Sequence, residues 1–196
     1  LITQKDSLHK KFNLKVFGEH NQKNANMAYL LGKKLGIKEK TIIKSLESFP
    51  GIERRMELIS NTNGVKVYND YAHHPTAIKA TLVALREKYS KKRIWAIVEP
   101  HGYDRTHALL KNYKGVFQSA DKVIIGPIFR ARDSETFGIT PKSVAEASGH
   151  LDILTANSMD QIVEIIKNGV KKGDVILVMG AGKSYLWAKE ICNLKI

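Results

Sequence analysis

The sequence predicts an α/β protein: a Rossmann-like open, mostly parallel sheet with helices on both faces, preceded by a short segment of different character. Three observations predict it. From about Ile52 onward, apolar runs of strand length alternate with amphipathic runs of helix length. The strand runs are followed by Asn69-Asp70, Glu99-Pro100-His101, Gly126-Pro127 and Gly180-Ala181-Gly182. These are the polar and glycine-rich turns that close the carboxyl ends of parallel strands. Finally, 196 residues with 43% hydrophobic content bury one good core and a smaller appended piece.

In order along the chain, Asn13–Phe17 reads as a strand. Asn21 is placed to cap a helix running through Lys34, with Ala28, Leu31 and Leu35 at helical spacing, and Gly36 ends it. A second helix over Glu39–Ser48 carries Ile42, Ile43 and Leu46, and Phe49-Pro50-Gly51 breaks the pattern. Two helices and a strand are too little to fold alone. Residues 1–52 are therefore expected to be the tail of a domain whose body lies upstream. The start at Leu1-Ile2-Thr3, without methionine, gives the same expectation of a piece of a longer chain.

Residues 53–196 are expected to hold the sheet. Strands are predicted over Lys66–Tyr68, Ile94–Val98, Val123–Ile125, Asp152–Leu154 and Val175–Met179. Helices are predicted over Pro75–Lys88, His107–Ser119, Pro141–Ser148, Met159–Val170 and Lys183–Asn193, with right-handed crossovers between parallel strands. Arg130 to Phe137 is a polar loop, and the stripe of Met159, Ile162, Val163 and Ile166 is core packing.

The formal net charge of +13 would draw in nucleic acid or an anionic substrate. No basic run interleaves with aromatics as a single-strand binder would require. Lys33-Lys34, Lys91-Lys92-Arg93 and Lys171-Lys172 read instead as solvated helix ends and turns, so no nucleic-acid partner is expected. A non-catalytic basic module that binds nucleic acid is the distant alternative. One cysteine, Cys192, excludes a disulfide framework and fits a reducing compartment. No apolar run approaches the roughly 20 residues that cross a bilayer, and the expectation is a cytoplasmic protein with no membrane partner.

Chemistry concentrates at the predicted strand ends. Asp70 is an acceptor suited to ribose hydroxyls or to orienting a cation; as a bland alternative it closes an Asx turn before Pro75. His73 and His74 titrate near neutrality, and His73 is read as the one that faces a ligand carboxylate. Arg105 offers a planar fork matched to carboxylate or phosphate, against the alternative of a surface arginine beside Asp104. Asn21 and Asn24 lie three apart, so both amides face one side of a helix start. Gly180-Ala181-Gly182-Lys183-Ser184 imitates the end of a phosphate loop. Leu177 stands where its first glycine belongs, and the run reads as a tight strand-to-helix turn. No spacing suits a metal site or a serine or cysteine nucleophile with its base.

Four stretches together resemble the Mur ligases, the ATP-dependent enzymes that build the peptidoglycan stem peptide. Gly18-Glu19-His20-Asn21-Gln22-Lys23-Asn24-Ala25 is similar to the family's G-x-H-N-x-x-N-A segment, and Arg54-Arg55-Met56-Glu57 to its R-R-F/M-E segment. Asn69-Asp70-Tyr71-Ala72-His73-His74-Pro75-Thr76 carries its strand-end signature. Pro100-His101-Gly102-Tyr103-Asp104-Arg105-Thr106 is similar to the P-H-x-Y-x-R-T loop of the alanine-adding members, as is the closing Met179-Gly180-Ala181-Gly182. The resemblance implies that 1–52 is the tail of the central ATP-binding domain and 53–196 the Rossmann-like carboxyl-terminal domain. It implies ATP and Mg2+ as cofactors, with the P-loop and the metal ligands upstream of this chain. It implies UDP-N-acetylmuramate and an amino acid, L-alanine first, as substrates joined through an acyl phosphate. It assigns Asn21 and Asn24 to the adenine, Arg55 to the ATP phosphates and Asp70 to the ribose. His73, His101 and Arg105 go to the amino acid and the muramyl carboxyl group, with Asp70, His73 and Arg105 carrying the catalysis. The fragment alone is expected to bind nucleotide poorly and to catalyse nothing. Gly102 departs from the pattern, since alanine-adding members often carry arginine or another larger residue there. That leaves room for another acceptor, such as the peptide taken by the murein-peptide recycling ligase.

Overall fold

The computed structural model describes residues 10–194, so the Leu1-Ile2-Thr3 start and the first nine residues of the segment 1–52 lie outside the described residues. The chain divides into two compact units, Leu1–Ile52 and Glu53–Ile196.

The first unit is two helices, α1 (Glu19–Lys34) and α2 (Glu39–Ser48), over a small core of Phe12, Ala25, Tyr29 and Ile42. Gly32 lets the helices approach: a Cβ there would stand 2.9 Å from the Ile42 side chain. The strand expected over 13–17 does not form. The segment before α1 finds its backbone partners among side chains instead. Gln22 bonds both N–H and C=O of Phe12, and Asn26 bonds both of Lys10. Nor does Asn21 cap α1. Gly18, at φ 101°, stands at the cap, and the Asn21 amide donates back to the Phe17 carbonyl from within the first turn.

The second unit is a six-stranded sheet in the order β1-β2-β6-β3-β4-β5, comprising β1 (Glu57–Thr62), β2 (Val65–Asp70), β3 (Ile94–Val98), β4 (Lys122–Ile125), β5 (Ile153–Thr155) and β6 (Val175–Met179). All neighbours are parallel except β1 with β2. That antiparallel edge strand escaped the sequence reading because Glu57–Thr62 is too polar to read as a strand. Its signal was the turn: Asn63 and Gly64 both take positive φ, the geometry that Asn-Gly supplies to a two-residue hairpin. The central strands β3 and β6 are buried at every residue. A strand covered on both faces has no polar side to show, hence their unbroken apolar runs.

One face is closed by α6 (Met159–Gly169) and α7 (Ser184–Cys192), where Ile162, Ile166, Trp187 and Ile191 pack on Val67, Ile97, Ile176 and Val178. On the other face stand α3 (Pro75–Lys88), with Ile78, Leu82 and Leu85 wholly buried, and α5 (Pro141–Ser148). The caps explain several boundaries. His74 caps α3 ahead of Pro75, and Thr140 with Ser143 forms a capping box on α5 ahead of Pro141.

One helix differs from the sequence reading. In place of 107–119 there is a short α4 (Tyr103–Ala108), a 3-10 turn over Leu110–Tyr113, and turns beyond. Gly102, at φ 81°, starts the helix early, and Gly115, at φ 69°, prevents its continuation. Tyr113, Val116 and Phe117 are buried from these turns rather than from a helix face. As a consequence Arg105 projects from a helix and not from a loop.

Candidate active site

The parallel strands end level with one another. Asp70 of β2 and Val98 of β3 both pair with Met179 of β6, and Val98 pairs with Ile125 of β4. The segments that follow therefore share one rim, with Asp70, Glu99, His101 and Gly180 on it.

Asp70 is 4% exposed, and its two oxygens accept from the backbone N–H groups of Met56 and Ala72, each at 2.7 Å. The Met56 bond folds the Arg54–Met56 turn onto the strand end, where Arg54 and Met56 both take positive φ. Such strain persists only where the surroundings over-determine it. Tyr71 N–H donates to the Arg54 carbonyl, Arg54 N–H to the Glu57 carboxylate, and the Arg54 guanidinium to the Gly180 carbonyl. That guanidinium lies about 5 Å from the ring centres of Tyr71 and Tyr185. Arg54 is thus committed to the turn, while Arg55 is exposed and lies over Tyr71, 5.2 Å from its ring centre. A ribose contact by Asp70 would have to be shared with the two backbone bonds it already accepts.

The glycine-rich turn after β6 is occupied by the protein's own carboxylate. Glu99, 2% exposed, accepts from the N–H groups of Gly182, Lys183 and Ser184 at 3.0, 3.0 and 3.1 Å. These are the donors at the start of α7 that an anion would seek. A Cβ on Gly180 would stand 2.8 Å from the Glu99 Cβ, and one on Gly182 would overlap the Phe129 ring. The glycines are there so that Glu99 and Phe129 can close over the turn, and the turn is no phosphate loop. Burial holds the Glu99 carboxyl above the usual carboxylate range; the three N–H groups and Arg54 pull the other way without cancelling it.

Over this turn runs a row of rings. Tyr71 meets His73 edge-on at 5.5 Å, His73 meets His101 at 5.5 Å, and His101 meets Phe129 at 5.2 Å. The two adjacent histidines divide their roles by tautomer. His74 accepts the Thr76 N–H at Nδ1, as a helix cap. His73 Nδ1 lies 2.9 Å from the Tyr71 carbonyl, which can only accept, so Nδ1 carries the proton and Nε2 the lone pair. Burial pushes both His73 and His101 below the ordinary imidazole value, and the Arg105 charge pushes both further.

Beside the row, His101, Gly102, Asp104, Arg105, Arg132 and Asp133 line a cavity of about 630 Å³. Arg105 is exposed on α4. Asp133 accepts the Asp104 N–H at 3.2 Å, and its Oδ2 would stand 3.1 Å from a Cβ on Gly102. The polar loop is anchored by Arg130, which donates to the carbonyls of Asp133 and Ser134, and by Phe137 stacked on His107 at 5.1 Å.

The structure thus brings Arg55, Asp70, His73, His101 and Arg105 to one rim. Asn21 and Asn24 stand in the first unit, Asn21 tied to Phe17 and Asn24 exposed on α1. Sequence reasoning missed the parts played by Glu99, Phe129 and Asp133. The local signal for Glu99 was its position directly after a strand, and Phe129 and Asp133 lie in or beside the polar loop beyond β4. Among the described residues no group of three or more His, Cys, Asp or Glu side chains could hold a metal ion, and no helix is long and apolar enough to cross a membrane.

This is an open α/β sheet with its site at the carboxyl ends of the strands, the class of fold that carries nucleotide-dependent enzymes among others. Residues 54–182 match the family described as Mur ligase, glutamate ligase domain. The UDP-N-acetylmuramate–L-alanine ligase of Acetivibrio thermocellus is 42% identical over 174 residues, 88% of this chain and 37% of the relative. That of Bartonella henselae is 35% identical over 183 residues, 92% of this chain and 38% of the relative. The chain belongs to the Mur ligase family. It spans about two fifths of the length of such relatives. The solved UDP-N-acetylmuramate–alanine ligase of Thermotoga maritima shares the fold, with a TM-score of 0.76 over 93% of this chain and 39% of that one at 24% identity. A murein peptide ligase from Psychrobacter arcticus superposes with a TM-score of 0.66 at 28% identity, over 94% of this chain and 39% of that one.

Proposed function

We propose that this chain is the carboxyl-terminal part of an ATP-dependent ligase that adds L-alanine to UDP-N-acetylmuramate in the cytoplasm. What supports the reading above all is the meeting of His73, His101 and Arg105 at one rim. ATP would phosphorylate the muramyl carboxylate, and the amine of the amino acid would displace phosphate from the acyl phosphate. The reaction holds two anions and a nucleophile together, a task for positioning and fixed positive charge. Arg105 and Arg132 supply donors for carboxylates, His73 brings a lone pair to the same rim, and Arg55 is a cation placed for nucleotide phosphate. Asp70 contributes by holding the Arg55 turn. In this reading residues 1–52 are the tail of the ATP-binding domain, with Asn21 and Asn24 directed to adenine. The described residues do not fit the magnesium ion, whose ligands would lie in the rest of the protein.

Gly102 favours a second reading. Without a side chain there, the cavity of about 630 Å³ admits a bulkier acceptor, such as a peptide. The complete protein, given UDP-N-acetylmuramate, ATP and magnesium, is expected to release phosphate when L-alanine is added. Release with a peptide and not with L-alanine would favour the second reading, and release with neither would sink both. The piece alone is expected to show no micromolar ATP binding by titration calorimetry.

A further inference from the structure

We propose that Nε2 of His73 takes the proton from the attacking amine in amide formation, an inference that rests on the acyl-phosphate reading above. A catalytic base needs a lone pair, a fixed ring and an unprotonated resting state. His73 meets each requirement. Its Nδ1–H donates to the Tyr71 carbonyl at 2.9 Å, which assigns the lone pair to Nε2. Its ring is held between Tyr71, nearly perpendicular to it, and His101, tilted against it at 49°, with ring centres 5.5 Å away in each case.

The charged and titratable groups facing it come from three segments: Tyr71 and His74 from its own strand-end loop, Arg55 from the 54–56 turn, and His101 and Arg105 from the β3–α4 segment. Among the described residues no carboxylate bears on His73; Asp133 bears on His101 instead. Burial above all, and then the Arg105 and Arg55 charges, disfavour imidazolium, which favours the neutral ring, the state that can accept. His74 does not substitute for it, because its Nδ1 lone pair is spent on Thr76.

The ammonium group of the amino acid first gives one proton to water, and the lone pair so freed forms a C–N bond to the acyl carbon while the carbonyl π pair moves to oxygen. The nitrogen, now positively charged and strongly acidic, gives a proton to Nε2. The oxygen pair returns, the C–O bond to phosphate breaks with its electrons, and inorganic phosphate leaves. The imidazolium, unstable beside Arg105 and Arg55, releases its proton to water.

The test uses the complete ligase with ATP, UDP-N-acetylmuramate and magnesium, and two acceptors: L-alanine and hydroxylamine, whose nitrogen is unprotonated at neutral pH. Hydroxylamine is a far weaker base than the amine of an amino acid, so the nitrogen of its adduct is acidic enough to lose its proton to water. Hydroxamate formation by the wild type therefore reports the acyl phosphate without a protein base. His73→Gln and His73→Ala are expected to keep hydroxamate formation within about threefold while kcat with L-alanine falls roughly a hundredfold, the ordinary scale for losing a general base. The acid limb of the kcat–pH profile should vanish with it, and added imidazole should restore part of the rate of His73→Ala. Unchanged kcat with a raised KM for L-alanine would overturn the proposal and leave the ligase reading standing. A wild type that forms no hydroxamate would overturn the reading beneath it, and the proposal with it.

Discussion

Oε2 of Glu99 lies 3.0 Å from the amide nitrogen of Gly182, across 83 residues of sequence, and the same carboxylate accepts from Lys183 and Ser184. Replacing it with alanine strands three backbone donors at the start of α7, that of Ser184 wholly buried and those of Gly182 and Lys183 partly so. Glu99→Ala should destabilise the chain by about 2–4 kcal/mol, read from the urea midpoint, because unsatisfied buried donors cost their full desolvation. Glu99→Gln should fall between that variant and the wild type, since its amide oxygen still accepts while its NH2 opposes a donor. A midpoint for Glu99→Ala equal to the wild type would refute the anchoring role.

Gly182 has no positive φ to protect, so alanine there is opposed by space alone: the added methyl meets the Phe129 ring. Gly182→Ala should cost about 1–3 kcal/mol as an overpacking change. Phe129→Ala in the same chain should recover part of the loss, giving a coupling that additive sites do not show. Additivity in the double-mutant cycle would mean the methyl is accommodated elsewhere.

Away from the site, Asp174 gathers the Arg93 guanidinium, the Trp95 indole N–H at 3.0 Å and the Lys171 backbone N–H at 2.9 Å, and is 5% exposed. Asp174→Ala is expected to lower stability by about 2–4 kcal/mol, because the Trp95 donor is buried and loses its acceptor. Asp174→Asn should lose less, its oxygen remaining for the indole. Equilibrium denaturation compares the two.

His73 and His101 both sit below the ordinary imidazole value of 6.5 in the folded chain. Between the folded value and 6.5 the unfolded chain binds more protons, so their contribution to stability is intact above 6.5 and is lost as pH falls. Thermal melting should therefore drop between about pH 7.5 and 5.5, and His73→Gln with His101→Gln should flatten that slope. A steeper slope in the double variant would have the wrong sign.

The elements legible in the sequence were those whose pattern is local. β3, β6, α2, α3 and α5 lie at the residues their periodicity marks, because both-face burial leaves unbroken apolar runs and Pro75 and Pro141 mark helix starts. Where backbone groups are satisfied by distant side chains, periodicity misled: Gln22 and Asn26 absorbed the donors and acceptors of the segment read as a strand. Glycines at positive φ shifted the helix near Arg105 in the same way. At the candidate site, residue types at strand ends pointed to the rim. The closure of Glu99 over the turn 83 to 85 residues later has no local trace, and neither does the tautomer of His73, which depends on the direction of the Tyr71 carbonyl.

β6 is the last strand in the chain and lies between β2 and β3, supplying a partner to each. During synthesis β2 and β3 must wait, each with one side unpaired, until Val175–Met179 leave the ribosome. A stop codon before Val175 would leave them unjoined, and the sheet would fall into two halves with no strand between them.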